Sequence, residues 1–325
     1  MIFMDIKSEN VKVQVIALEQ NFASEKDFQN VDEIIKRGDV IGVEGQFGKS
    51  KTGEASIMAK KITLLSPCLH ILPAAKNNEK EVITCQETRY RNRYLDLMCN
   101  QRARDVFIKR SKIISLLRSE LNAKGFMEVE TPILALLAGG ATAKPFKTFH
   151  NDLNRQMVLR IAPELYLKNL IVGGLNKVYE IGKQFRNEQI DLTHNPEFTS
   201  IELYQAYADY NDMMEFTEEV LCKIVMEIKG TLKFNVKGED GQDKEISFER
   251  PWRRISVVEE LEKILNRKMP ENFEGEEPRQ FLDKLCEELK IPCSAPRTTA
   301  RLFDKLIAEY IEVQCDSPTF LIDHP

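Results

Sequence analysis

The chain has 325 residues, 42% of them hydrophobic and 30% charged, and its 46 basic and 51 acidic side chains leave a net charge of −5. That balance describes a soluble globular protein long enough for two domains, and it excludes a disordered chain or a uniformly basic nucleic-acid coat. With no apolar run near the roughly 18–20 residues a spanning helix needs, no signal peptide in Met1 to Asp5, and seven scattered cysteines and four histidines that form no C-x-x-C or zinc-type cluster, the expectation is a reduced, cytoplasmic protein with no membrane partner and no metal ligands of its own.

In chain order, Val11, Val13 and Val15 alternate with polar residues as a half-buried strand does. Ser24 to Arg37 predicts a helix stopped by Gly38, and Val40 to Val43 and Ala55 to Leu65 predict further strands, joined by a turn over Lys49 to Glu54. Strands around one helix in under about 70 residues suit a small Greek-key barrel, and the chain begins inside its first hairpin, as if an outer strand preceded it. Residues 74–88 read as a polar connector. A long helix is predicted over Gln101 to Lys124, then a strand from Phe126 stopped by Pro132. Strands follow at Val158 to Ala162, Val178 to Glu188 and Glu197 to Tyr207, and helices at Asp212 to Ile228, Pro278 to Leu289 and Thr298 to Glu312. The fold class is α+β on a mostly antiparallel sheet, with a boundary near Ser66-Pro67. Charge is uneven: residues 67–145 carry 13 basic and 8 acidic side chains, residues 209–325 carry 17 and 26. A basic middle permits a polyanion site, and equally a solvated face.

The strand pair 178–188 and 197–207 is the most informative stretch. Residues two apart share a face. The odd positions (Tyr179, Ile181, Phe185; Ile201, Leu203) are the greasier side. The even positions gather Glu180, Gln184, Arg186 and Glu188 opposite Phe198, Ser200, Glu202 and Tyr204. Such a face is either a surface hairpin turned to water or a floor that holds an anionic and an aminated ligand together. No G-x-x-x-x-G-K-[ST], G-x-G-x-x-G, H-E-x-x-H or G-x-S-x-G element offers another scaffold for the chemistry.

These residues carry a resemblance. The run FRNEQIDLTHNPEFTSIELYQAY (Phe185 to Tyr207) resembles motif 2 of the class II aminoacyl-tRNA synthetases, and GFMEVETPIL (Gly125 to Leu134) resembles motif 1, the element that builds their dimer interface. RIAPELYLK (Arg160 to Lys168), GGATAKPF (Gly139 to Phe146), RYRNRYLDL (Arg89 to Leu97) and PRTTARLFDKL (Pro296 to Leu306) resemble the lysyl branch in its eukaryotic form. The resemblance implies an OB-fold anticodon-binding domain over 1–70 and a class II catalytic domain over 71–325. It implies a lysine–tRNA ligase using ATP and Mg2+, acting on lysine and tRNA(Lys), and forming a homodimer through motif 1. By the same resemblance Arg186 is the catalytic arginine on the α-phosphate. Glu188, His194, Asn195 and Phe198 join it in ATP binding, Phe198 by stacking on adenine. Gly140, Glu164, Glu202 and Tyr204 bind lysine, and Phe3, Gln14 and Glu54 meet the anticodon.

Without the resemblance, Phe3 reads as strand core, Gln14 as a solvent-facing strand residue, Glu54 as a turn polar and Glu164 as a helix-start carboxylate. The family's motif 3, a glycine-rich strand leading to an arginine-bearing helix, has no counterpart before Pro325, and the magnesium carboxylates are expected with it. A fragment inactive alone is therefore expected, the alternative being a non-catalytic tRNA-binding or dimerising module. An aspartate- or asparagine-type enzyme fits less well: Ala162-Pro163-Glu164 stands in place of its Gln-Ser-Pro-Gln pattern, and two carboxylates suit an aminated substrate.

Overall fold

Valine alternation becomes β2 (Val11–Ala17), which pairs antiparallel with β1 (Ile2–Ser8), in a computed structural model that describes residues 1–9, 11–73, 82–191, 193–238 and 241–325. Part of the connector read at 74–88 lies outside the described residues. Helix α1 (Glu25–Ile34) starts where Ser24 accepts a hydrogen bond from the Asp27 amide. It ends three residues before the expected Arg37, because the Lys36 amide goes instead to the Asp39 carboxylate at 2.7 Å. Strands β3 (Val40–Lys49) and β4 (Ala55–Ser66) follow, and the order β1-β2-β4-β3 makes β2 and β4 parallel neighbours. Val15, Ala17 and Ala59 are the fully buried centre of this sheet. At Gly45 a Cβ would run into the Met58 carbonyl, so this position accepts only glycine.

Helices α2 (Gln86–Arg91) and α3 (Arg93–Cys99) fold around Asp96, which is completely buried. Its carboxylate takes hydrogen bonds from Arg89 at 3.1 Å, Arg93 at 2.7 Å and Asn100 at 2.7 Å, so the charge is both paired and solvated by the chain. Helix α4 (Gln101–Ala123) comes next. The chain divides into two compact units, Met1–Ser111 and Lys112–Pro325.

In the second unit, β5 (Met127–Glu128) is shorter than expected, since beyond Val129 the chain turns Thr131 onto Glu180 before Pro132 stops it. Then come β6 (Leu134–Ala135), β7 (Lys147–His150), β8 (Arg155–Leu159), α5 (Glu164–Val172), β9 (Lys177–Phe185), β10 (Glu197–Gln205) and α6 (Tyr210–Lys229). After α6 come β11 (Lys233–Lys237), β12 (Asp243–Ser247), β13 (Arg253–Ser256), α7 (Val257–Leu265), α8 (Glu276–Glu288), α9 (Thr299–Tyr310) and β14 (Thr319–Ile322). The arrangement is α+β with mainly antiparallel pairing. Strands β9 and β10 pair antiparallel, with Ile201 opposite Ile181 and Glu202 opposite Glu180. Their odd side is core: Tyr179 is fully buried, and Ile181, Ile201 and Leu203 pack with it on Leu121, Phe126 and Phe216. Burying such side chains stabilises by about 1.5–3 kcal/mol each, which fixes the register and forces the polar even side to the opposite face. A second core joins α7, α8 and α9 through Leu261, Leu282 and Leu306.

Candidate active site

The even face of β9 and β10 is a sheet floor whose register is continued by the backbone beyond the strands: the Arg186 amide donates to the Pro196 carbonyl at 2.8 Å. At its centre Gly182 has no side chain, and a Cβ there would collide with the Arg160 guanidinium. Arg160 fills the space instead. It is buried and reaches Glu180 at 2.6 Å, the Thr131 hydroxyl at 2.9 Å and the Lys183 carbonyl at 3.0 Å, while Thr131 donates to the other Glu180 oxygen at 2.6 Å. This closed network neutralises Glu180 and braces β9 against the strand that precedes α5, where Phe185 donates to the Arg160 carbonyl.

At one end of the floor the carboxylates converge. Tyr204 donates to Glu202 at 3.3 Å. Burial pushes the Glu202 carboxyl above its ordinary 4.5, the Tyr204 hydroxyl works the other way, and the Glu164 charge raises it further. The Tyr204 phenol is also raised, first by burial and then by Glu202 and Glu164, so it stays a protonated donor. Gly140 sits at φ +83, and a Cβ there would fall 2.8 Å from the Glu164 Cβ. Only glycine therefore lets this loop lie against Glu164. Lys168, one turn along α5, holds Glu164 at 2.6 Å and lies over the Tyr204 ring at 5.9 Å. A cation of the chain's own thus already uses this end.

At the other end the Arg186 guanidinium stacks 5.1 Å from the Phe198 ring centre. Phe198 stands opposite Gln184. Glu188, His194 and Asn195 are exposed on the connecting loop. The His194 ring meets the Asp191 carboxylate at 3.0 Å, and the Thr193 and His194 amides donate to the same group, which holds Asp191 at about 2. The loop tip is ordered by its own carboxylate rather than by the floor. The expected residues thus fall into a carboxylate–phenol set (Gly140, Glu164, Glu202, Tyr204), an arginine–aromatic set (Arg186, Phe198) and a loop set (Glu188, His194, Asn195).

In the first unit Phe3 and Gln14 share one face as diagonal neighbours across β1 and β2, and Phe3 is 55% exposed. Gln14 donates to Glu54 at 3.1 Å and accepts from the buried Ser56 hydroxyl at 2.9 Å, which fixes the direction of its amide. Ser56, Arg160, Thr131 and Lys168 were not read as site residues from the sequence. Gly182 inside a strand was the available signal for Arg160, because an interior glycine marks a close approach. Ser56 follows Glu54 by two residues and gives no signal before the β2–β4 pairing is known.

Residues 85–325 match the family model described as tRNA synthetases class II (D, K and N). Among curated proteins the chain is 46% identical to a lysine--tRNA ligase of Cladosporium cladosporioides, over all of this chain and 55% of that protein. It is 48% identical to a probable cytoplasmic lysine--tRNA ligase of Enterocytozoon bieneusi (99% and 63%) and 44% identical to a lysine--tRNA ligase of Thermotoga maritima (99% and 61%). The chain thus spans a little over half to under two thirds of the length of these relatives.

Proposed function

The chain belongs to the class II tRNA synthetases of the D, K and N branch, and from that premise we propose that it carries the lysine- and ATP-binding floor of a lysine–tRNA ligase. The observation that carries this reading is the gathering of Glu164, Glu202 and Tyr204 at one end of a face whose other end holds Arg186 over Phe198. Two carboxylates and a phenol select an aminated substrate; the cation at this end, Lys168, is paired with Glu164 and so is not presented to an aspartate side chain. A charge-assisted hydrogen bond is worth about 1.5–3 kcal/mol; those to the α-ammonium hold any amino acid, and the choice of lysine falls to the Tyr204 contact with the ε-ammonium in the field of the two carboxylates.

In the proposed reaction a lysine carboxylate oxygen attacks the ATP α-phosphorus and forms the acyl–phosphate bond while the bond to pyrophosphate breaks. A ribose hydroxyl of the tRNA 3′ end then attacks the acyl carbon, loses its proton and releases AMP. Arg186 donates to the α-phosphate, where its planar fork meets two oxygens and the charge that develops on them. Phe198 offers one face to adenine, and Glu188 accepts from the adenine amino group. His194 and Asn195 meet the phosphates from the loop. Glu164, with the Gly140 backbone, takes the lysine α-ammonium together with Glu202, and Tyr204 reaches the ε-ammonium. Magnesium accompanies ATP in this family, but no cluster of three acidic, histidine or cysteine residues that could hold a metal occurs among the described residues; no step here is assigned to it.

The first unit is proposed as an OB-fold anticodon domain over 1–70, beside a catalytic domain over 71–325. Phe3 would stack on a base, worth about 1–3 kcal/mol with little sequence preference, and the Gln14–Glu54 pair would read it. A homodimer through the motif 1 region is supported by Val106, Phe107 and Ile108, all at least half exposed on α4. The cytoplasm is the proposed location. The test is ATP–pyrophosphate exchange by this chain and by a chimera that adds, from the Enterocytozoon bieneusi relative, the residues outside the match. Exchange by the chimera with lysine, abolished by Arg186→Ala, supports the reading. Exchange with aspartate, or silence from the chimera, overturns it in favour of a sister specificity or of a non-catalytic module.

A further inference from the structure

Three buried polar groups on the floor are left without partners: both amide atoms of Gln184, the Ser200 hydroxyl and the Arg186 Nε. Gln184 is 1% exposed, and it has no hydrogen bond to the chain that would explain a polar residue there. The three lie side by side. Ser200 stands opposite Gly182, Gln184 is its diagonal neighbour on β9, and Arg186 follows two residues on along the same face. Buried polar atoms are almost always satisfied, so a cluster of orphans at one place marks where something else binds.

Its position says what that is. Gln184 and Ser200 lie between the Arg186–Phe198 end, of which the third orphan is part, and the Glu202–Tyr204 end, with Ser200 one β-step from Phe198 and from Glu202. Two of the orphans, Ser200 and Arg186, are donors, and Gln184 presents both a donor and an acceptor. A group that accepts from three donors and carries a donor of its own is the head of an amino-acid zwitterion. We infer that Gln184 and Ser200 bind the substrate α-carboxylate beside Arg186, with Gln184 Nε2 and the Ser200 hydroxyl donating to its oxygens and Gln184 Oε1 accepting from the adjoining α-ammonium. They hold the attacking carboxylate in line with the α-phosphate. This rests on the lysine reading above.

The experiment is titration calorimetry on the 325-residue chain with L-lysine, with L-lysinol, which keeps both ammonium groups and lacks the carboxylate, and with AMP. Thermal melting of Gln184→Leu and Ser200→Ala accompanies it. Gln184→Leu should weaken lysine about tenfold or more, since contacts to both the carboxylate and the α-ammonium are lost, weaken lysinol less because only the α-ammonium contact is lost there, and leave AMP within about twofold. It should also melt higher than the parent, because it removes an unsatisfied buried amide; a purely structural glutamine would melt lower. Ser200→Ala, which removes a contact to the carboxylate alone, should weaken lysine about tenfold and leave lysinol and AMP within about twofold. Unchanged lysine affinity, or lysine and lysinol falling equally with a lower melting temperature, overturns the inference while the lysine reading stands. No binding of lysinol or AMP by the parent chain overturns both.

Discussion

Glu202 has to be ionised to hold an ammonium, yet burial and Glu164 both push its carboxyl upward. The sign follows directly. A raised acid stabilises the folded chain below its unfolded value, and that contribution is lost as pH rises through the folded value. Ligand affinity runs the opposite way, so lysine affinity should fall on acidification at a pH above the ordinary carboxylate 4.5, and Glu202→Gln should flatten that profile while lowering affinity about tenfold or more. Calorimetry across pH 4–8 reads both, roughly bracketing the carboxylate range. Gly140 makes a sharper prediction: Gly140→Ala adds a Cβ 2.8 Å from the Glu164 side chain at φ +83, so it should cost about 1 kcal/mol or more in stability and weaken lysine without affecting AMP. Parity put Arg186, Glu202 and Tyr204 on one face, while their proposed roles came from the resemblance and not from the alternation. Their bracing was not legible in the sequence: Arg160 and Thr131 reach the floor from other elements, and only Gly182 hinted at a neighbour there.

At the scale of the element, the β9–β10 hairpin is specified by its odd side and used on its even side. Alternation gave the ladder with every strand end within three residues, and the hydrophobic set at Tyr179, Ile181, Ile201 and Leu203 leaves a single register. Shorter elements escaped. The two-residue strands β5 and β6 have no period to read, and β5 ends where Thr131 is drawn to Glu180. The same network predicts a large effect: Arg160→Met leaves Glu180 buried beside Thr131 without its cation and should destabilise by about 3–5 kcal/mol in denaturant unfolding, whereas the paired change with Glu180→Leu should restore most of it. Helices α2 and α3 were missed as elements although RYRNRYLDL was singled out. Their amphipathic signal is weak because a carboxylate, Asp96, occupies their centre. Asp96→Ala should cost a similar amount and act through Arg89 and Arg93.

Across the whole molecule, the composition spoke to class and the motifs to function, but the compact units cut the chain at Ser111, forty residues beyond the expected boundary near residue 70. The intervening stretch carries the buried Asp96 knot, closed within seven residues by Arg89, Arg93 and Asn100. The uneven charge proved a poor guide by itself, since the floor holds nearly balanced groups and draws its selectivity from where the carboxylates lie.

The central claim is that this floor takes an ammonium at its Glu164–Glu202 end and an adenylate at its Arg186–Phe198 end. The most direct test is equilibrium binding of two non-hydrolysable adenylate mimics, lysyl-sulfamoyl-adenosine and aspartyl-sulfamoyl-adenosine, to the same chain. Tight binding of the lysyl mimic, at least about a hundredfold over the aspartyl one and lost in Glu164→Gln with Glu202→Gln, is the result expected where two carboxylates favour a cationic side chain and repel an anionic one. Equal affinity for the two mimics, or preference for the aspartyl one, would contradict it.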